Sequence, residues 1–122
     1  MLIEIDFNSE KAIYIQVTHQ IIIEIAASRI HEGDQLPSVR QLAELLGINM
    51  HTVNKAYTVL KHWGFVSVDR RRGAVVSIDH NKAQALQEMR EELLVILAKG
   101  SCKNISKEEA HQLIDEIYNG YQ

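Results

Sequence analysis

The sequence predicts a mainly α-helical fold with a small β-hairpin, in which a winged helix-turn-helix domain is followed by a two-helix segment. Three patterns lead to this prediction. Residues 36–57 form two short amphipathic stretches joined by a Gly turn, a basic hairpin pattern follows them, and two more amphipathic stretches lie near the C-terminus. We expect the winged domain to span residues 1–79 and the helical segment to span residues 80–122.

The first part of the chain is predicted to be an extended arm followed by a helix. Residues 1–8 alternate weakly between apolar and charged side chains, which is typical of extended backbone. From about residue 12 to residue 29, one buried stripe is predicted from the i, i+4 spacing of Ile13, Val17, Gln20/Ile21 and Ile25. The residues Glu32-Gly33-Asp34 then form a turn signal that separates this helix from the next.

Capping residues define the helix-turn-helix. Ser38 and Gln41 have the spacing of a capping box, so a short helix is predicted to begin there and to end with Gly47 as its C′ residue. Asn49 is a good N-cap for the following helix, which we expect to run to about residue 63. The aromatic side chains of this helix, Tyr57 and Trp63, are expected in the core.

A basic hairpin is predicted directly after the third helix. Two short β-rich runs, residues 65–68 and 74–78, flank the connector Asp69-Arg70-Arg71-Arg72-Gly73. Alternation on both sides of a Gly-containing connector indicates a hairpin, and a hairpin in this position is the wing of a winged helix. Three arginines at its tip would be costly to bury and are well placed to meet phosphates or a minor groove.

The C-terminal segment is predicted to form two helices that need a partner. One is expected from about Lys82 to Lys99, ended by Gly100, and the other from a capping box at Ser106 to about Asn119. A unit of this size buries too little apolar surface by itself, and a second copy of the chain is the economical partner. The residues predicted to form the dimer interface are Leu86, Met89, Leu93, Leu97, Leu113, Ile114 and Ile117.

The charge distribution is compatible with binding to nucleic acid. The chain as a whole carries −3, but five basic residues and one acidic residue lie between residues 49 and 78. Phosphate attraction depends on the local field, because screening over roughly 8 Å hides charges on the far side of the molecule.

The sequence contains no motif that is typical of a metalloprotein, a nucleotide-binding protein or a hydrolase. The six histidines and the single Cys102 show none of the spacings of a metal site, and no nucleotide-binding or hydrolase motif is present, so we expect no cofactor, no metal and no enzymatic activity. No apolar run is long enough to span a membrane and the N-terminus has no signal-peptide pattern. We therefore expect a cytoplasmic protein, as the lone cysteine also indicates.

The segment from Tyr14 to Ile78 resembles the GntR family of bacterial transcription regulators. The resemblance rests on residues that keep the order and spacing of the family: Ile13-Tyr14-Ile15-Gln16, residues 32–43, residues 49–57, Leu60, Gly64-Phe65-Val66 and Arg72-Gly73. The short two-helix tail resembles the YtrA-type branch, because the larger effector domains of other branches have no room in 43 residues.

This resemblance implies a sequence-specific DNA-binding regulator, in particular a homodimeric repressor with a palindromic operator. It places Arg40 where a helix-2 arginine contacts DNA. The recognition helix of the family meets bases and phosphates at the positions of Asn49, Met50, His51, Thr52 and Asn54. Arg72 and Gly73 fall at the wing tip that enters the minor groove. Together with the residue patterns, it predicts DNA contacts by Ser38, Arg40, Asn49, Met50, His51, Thr52, Asn54, Lys55, Arg70, Arg71, Arg72 and Gly73.

One residue departs from the family pattern. Several family members have a guanine-reading arginine where this chain has Met50. Readout is therefore expected to rest on Arg40, Asn54 and an apolar contact between Met50 and a thymine methyl group.

The sequence alone also allows several of these residues to be ordinary surface or capping residues that do not contact DNA. Arg40 has Glu44 four residues away as a surface partner, and Thr52 has a capping position. Arg70 and Arg71 fit a solvated charge run, with Arg72 the better candidate for a DNA contact.

The alternative function is a winged-helix module that binds protein instead of DNA. Any small-molecule effector is expected between subunits or between the tail and the winged domain, since the tail has little volume for a pocket.

Overall fold

The computed structural model describes residues 2–121, which form two compact units that divide after Asp79. The elements, in chain order, are α1 (Ile13–Ala26), α2 (Val39–Leu46), α3 (Met50–His62), β1 (Val66–Asp69), β2 (Gly73–Val76), α4 (Lys82–Cys102) and α5 (Lys107–Gly120). The five helices and one antiparallel hairpin found within this range confirm the mainly α-helical class with a small β-hairpin that the sequence predicts.

Helix α3 is the centre of the first unit. Its apolar face, which includes Val53, Ala56 and Leu60, is fully buried, and the helix contacts α1, α2 and β1. From α1, Val17 and Ile21 are also fully inaccessible to solvent. The opposite face of α3 is thereby left outside the core.

The ends of the helix-turn-helix follow the sequence prediction closely. The hydroxyl of Ser38 accepts a hydrogen bond from the backbone of Gln41, and the Gln41 side chain accepts one from the backbone of Ser38. Gly47 is left-handed (φ +66°) and its neighbour Ile48 donates to the carbonyl of residue 43, which completes a Schellman ending. Asn49 caps α3, since its side-chain oxygen accepts from the backbone of His51 at 2.7 Å.

The wing has a third extended segment that the sequence analysis did not predict. β1 pairs with β2 from Val66↔Val76 to Asp69↔Gly73. On its other edge β2 pairs with residues 33–36, through backbone hydrogen bonds from Gly33 to Val76, from Val76 to residue 34, and from residue 36 to residue 74. The turn signal at residues 32–34 therefore leads into a strand-like segment that runs directly to the start of α2.

The N-terminal arm lies extended along α1 and is held there by two glutamines. The Gln16 amide accepts from the backbone N–H of Asp6 and donates to its carbonyl, at 2.9 and 3.0 Å, and the Gln20 amide makes the same pair of bonds with Glu4. Four residues of helix advance about 6 Å and two residues of extended chain about 6.6 Å, so the spacings match. The side-chain amides thus act as a partner strand for the arm.

The sequence prediction is wrong about the ends of two helices. Helix α1 ends at Ala26, three residues early, because Ser28 adopts a left-handed conformation (φ 59°) and Arg29 donates back to the carbonyl of residue 24. Helix α4 continues through Gly100 to Cys102. It ends where Asn104 is left-handed and residue 105 donates to the carbonyl of Gly100, since asparagine tolerates this conformation better than most residues.

The two aromatic residues of α3 have different environments. Tyr57 is buried, as predicted, and its hydroxyl donates to the carbonyl of Pro37 at 2.7 Å. Burial raises the pKa of this phenol. Trp63, predicted in the core, is 46% exposed, because it follows the last residue of α3 and falls beyond the buried stripe.

Candidate nucleic-acid interface

Helix α3 presents a polar face to solvent. His51, Asn54 and Lys55 are exposed on the side opposite the buried stripe, and Met50, the first residue of the helix, is 45% exposed. Thr52 is half-buried. The buried apolar stripe holds the helix in place, so that the side chains predicted to meet base edges all remain accessible.

The start of α2 supplies a further cation. Ser38 uses its hydroxyl as the N-cap, and Arg40 is exposed in the first turn. Among the residues that the structure describes, the Arg40 side chain has no ion pair or hydrogen bond, so the alternative pairing with Glu44 is not formed. The Tyr57–Pro37 hydrogen bond ties this end of α2 to α3.

Lys55 is placed by an aromatic residue of α1. The Lys55 ammonium lies 4.1 Å from the centroid of the Tyr14 ring, which is within the range of a cation–π contact. The sequence did not predict this role for Tyr14. A Lys and a Tyr 41 positions apart in sequence carry no local signal of such a contact.

The wing tip is organised by one carboxylate. One side-chain oxygen of Asp69 accepts from the backbone N–H groups of Arg71 and Arg72, at 2.7 and 3.3 Å, and the other lies 3.6 Å from Nε of Arg72. Hydrogen bonding by the backbone of Arg71 and then of Arg72 holds the pKa of Asp69 below its ordinary value. An Asp at the start of a Gly-containing loop is the sequence signal for such a turn.

The three wing arginines are not equivalent. Arg72 donates from Nη1 to the carbonyl of Gly33 at 3.1 Å, so its guanidinium is tied back to the strand-like segment at residues 33–36. The side chains of Arg70 and Arg71 are exposed and make no hydrogen bond or ion pair within residues 2–121. Gly73, also exposed, has φ +73°, a left-handed conformation that lets the tip turn back into β2.

The second unit exposes its apolar side chains in the single chain. The residues predicted to form the dimer interface are between 37% and 56% exposed, and neither α4 nor α5 buries any residue in the described part of the chain. These residues are Leu86, Met89, Leu93, Leu97, Leu113, Ile114 and Ile117. Both helices begin where the sequence predicts. Helix α4 starts at Lys82, where Asn81 is the N-cap, and α5 follows the capping box of Ser106 and Glu109.

Within residues 2–121 no group of His, Cys, Asp or Glu side chains is arranged to hold a metal ion. No helix in the same range combines the length and the hydropathy needed to cross a membrane.

A helix-turn-helix packed on an apolar core, an exposed polar face on α3 and an Arg-rich wing together define the class of winged-helix DNA-binding domains. The sequence pattern of the family described as "Bacterial regulatory proteins, gntR family" matches residues 13–76. The chain therefore belongs to the gntR family, and it is a transcription regulator with a DNA-binding domain, not an enzyme.

Relatives of the YtrA type match nearly the whole chain, as the short tail suggested. The HTH-type transcriptional repressor YtrA of Bacillus subtilis is 32% identical over 121 residues, covering 95% of this chain and 92% of its own length. The solved structure of YtrA from Sulfolobus acidocaldarius, described as a GntR-family transcription factor, is 40% identical with a TM-score of 0.70, and the match covers 84% of this chain and 99% of that one.

Two further solved structures share the fold. One, described as a transcriptional antiterminator from Listeria monocytogenes, has a TM-score of 0.85 at 26% identity and covers 95% of this chain and 89% of that one. The other is the DNA-binding domain of AraR in complex with operator ORR3, with a TM-score of 0.51 at 25% identity over 63% of this chain and 95% of that one. That AraR domain is thus a winged helix seen on operator DNA.

Proposed function

We propose that this protein is a homodimeric, sequence-specific repressor that acts in the cytoplasm on a palindromic operator. The observation that carries the proposal is the set of cations that the first unit leaves without an acidic partner. In a chain of net charge −3, Arg40, Arg70 and Arg71 are all exposed and unpaired within residues 2–121. Exposed cations of this kind, beside an exposed recognition helix, supply the phosphate attraction that DNA binding needs.

The exposed face of α3 suggests a division of tasks in the major groove. Asn54 has the side-chain amide that pairs with adenine, and Met50 has the apolar surface that contacts a thymine methyl group. Arg40 has the fork that reads guanine, while Lys55 and the N-terminal amides of α3 face phosphates. Ser38, Asn49, His51 and Thr52 then act by positioning and by backbone contact.

We assign the wing to the minor groove and the tail to dimerisation. Arg70 and Arg71 have guanidinium groups without a partner among residues 2–121, of the type that enters a narrow minor groove. The apolar side chains of α4 and α5 would be covered by a second copy, whose winged domain reads the other half-site about 34 Å away or at a multiple of that distance. A small-molecule effector, if the protein has one, would require a site completed between subunits, because α4 and α5 bury no side chain alone.

Fluorescence anisotropy with a palindromic fragment from the protein's own promoter tests this function. Binding should saturate at two chains per duplex, and the slope of log K against log [salt] should be roughly −0.9 per phosphate neutralised. Arg40→Ala should weaken specific binding by about 1–3 kcal/mol if the guanidinium touches a base. Lys107→Ala, which removes a cation from the second unit, is the matched control and should bind as the wild type does.

Two results would contradict the proposal. Salt-independent binding, or no binding to any genomic fragment, would leave a winged-helix module that binds protein as the better interpretation. Chromatography on DNA-cellulose at low salt also distinguishes the two functions, and it requires no knowledge of the operator: a DNA-binding protein is retained, whereas a protein-binding module is not.

The contact between Tyr14 and Lys55 leads to a separate prediction. Tyr14→Leu removes the ring that holds the Lys55 ammonium and should weaken operator binding by about 0.5–1 kcal/mol, the usual size of an exposed cation–π contact. Tyr14→Phe keeps the ring and should bind nearly as the wild type does. The same anisotropy titration measures both variants. Equal losses for the two would show that the hydroxyl, and not the ring, matters.

A further inference from the structure

Asp69 is an acidic residue at the base of a loop that should approach phosphates. A carboxylate in such a place would be expected to oppose binding, since like charges repel. We propose that Asp69 instead promotes DNA binding, as a positioning residue that acts with Arg72 to hold the wing in the shape that presents Arg70 and Arg71. This inference rests on the proposed function and assigns separate roles to the wing arginines.

Three contacts from Asp69 set the shape of the tip. Two are backbone hydrogen bonds, from the N–H groups of Arg71 and Arg72, and the third is the 3.6 Å ion pair with Nε of Arg72. These contacts order the chain between β1 and β2, whose last paired residues are Asp69 and Gly73. The guanidinium groups of Arg70 and Arg71 remain unengaged and accessible within the described residues.

Arg72 extends this arrangement to the rest of the domain. Its guanidinium bonds Asp69 on one side and the carbonyl of Gly33 on the other, at 3.1 Å. Gly33 begins the segment that pairs with β2 and leads to Ser38 and Arg40. We call the set Asp69, Arg72 and Gly33 the wing clasp. It links the wing tip to the start of α2, and so fixes the distance between the groups proposed for the minor and the major groove.

The wing clasp predicts an effect opposite in sign to simple electrostatics. If only charge matters, removing Asp69 makes the wing more positive and tightens binding. If the clasp preorganises the wing, removing Asp69 adds the cost of ordering the tip to every binding event and weakens binding. A single substitution therefore distinguishes the two accounts.

Asp69→Ala should weaken operator binding by about three- to tenfold. The wing tip of this variant becomes ordered only when it binds DNA, and that ordering costs part of the binding free energy. The salt dependence should keep its wild-type slope, because no phosphate contact is lost. Glu44→Ala removes an exposed carboxylate of α2 with no role in the clasp, and it should bind as the wild type or more tightly. Hydrogen exchange of the free protein should show faster exchange at the amides of Arg71 and Arg72 in Asp69→Ala alone.

Arg72→Lys separates positioning from direct contact. Lysine keeps the charge but lacks the fork that reaches Asp69 and Gly33 together, so it should weaken binding nearly as much as Asp69→Ala does. Arg71→Gln, by contrast, should lower the salt slope by about 0.9. Tighter or unchanged binding by Asp69→Ala, or wild-type binding by Arg72→Lys, would overturn the wing clasp. If the wild-type protein binds no DNA, it is the proposed function that fails, while hydrogen exchange still reports on the clasp.

Discussion

Leu93→Glu is expected to split the dimer and to weaken operator binding by about 10²- to 10⁴-fold, the loss that follows when two linked binding events become independent. Leu93 lies at the centre of the stripe formed with Leu86, Met89 and Leu97 on α4. In an interface between two copies, each new carboxylate would be removed from water without a partner, and by symmetry every dimer would contain two of them.

Sedimentation equilibrium and operator titration, at matched protein concentrations, measure the two effects. Leu93→Met keeps an apolar side chain of similar volume and should remain dimeric. Ala98→Glu adds the same charge outside the stripe, about 140° around α4 from its centre, and should dimerise normally. A dimeric Leu93→Glu, or a monomeric wild type that binds its operator in full, would show that these apolar side chains serve another partner.

Gly64→Ala should have the second largest effect, lowering the free energy of unfolding by about 2–5 kcal/mol. Gly64 has φ +83°, and a Cβ there would lie 2.7 Å from Cβ of Asp79. The backbone N–H of Asp79 also donates to the carbonyl of Gly64 at 2.7 Å, so the neighbour cannot withdraw without losing this bond. Left-handed strain and steric overlap therefore add at this position.

Gly47→Ala is the matched control for that prediction. Gly47 is also left-handed (φ +66°), but no atom beyond its chain neighbours would lie within 4 Å of a Cβ there. Only the conformational cost of about 1–2 kcal/mol therefore remains. Urea unfolding followed by the fluorescence of Trp63, the single tryptophan, reports on the first unit. Equal destabilisation by the two substitutions would show that the segment around Asp79 moves at little cost.

Much of the helix-turn-helix could be predicted because its signals are local. The capping box of Ser38 and Gln41, the left-handed Gly47 and the Asn49 cap each act on backbone groups within four residues. The stripe of α3 follows the helical period, so its buried and exposed faces could also be assigned. The same reasoning misplaced the end of α4. Glycine is the commonest residue at a helix end, but α4 continues through Gly100, and the left-handed residue that ends it is Asn104.

Contacts between distant segments could not be predicted in this way. Residues 33–36, at the predicted turn, pair with β2, which lies about 40 residues further along the chain. The residues around Gly33 carry no local pattern that predicts this pairing. The cation–π contact of Tyr14 with Lys55 is of the same kind, because α1 and α3 must first pack before the ring and the ammonium can meet.

The sequence by itself determined the class of domain, the helix boundaries set by caps, and the residues exposed along α3. Only the tertiary structure decided which arginine of the run at 70–72 is tied down. Sequence favoured Arg72 as the DNA contact because it stands beside Gly73. In the fold Arg72 bonds a carbonyl 39 residues away, whereas Arg70 and Arg71 stay free within the described residues. The physical reason is that capping energies are local, whereas the partner of a long charged side chain depends on which segments the core brings together.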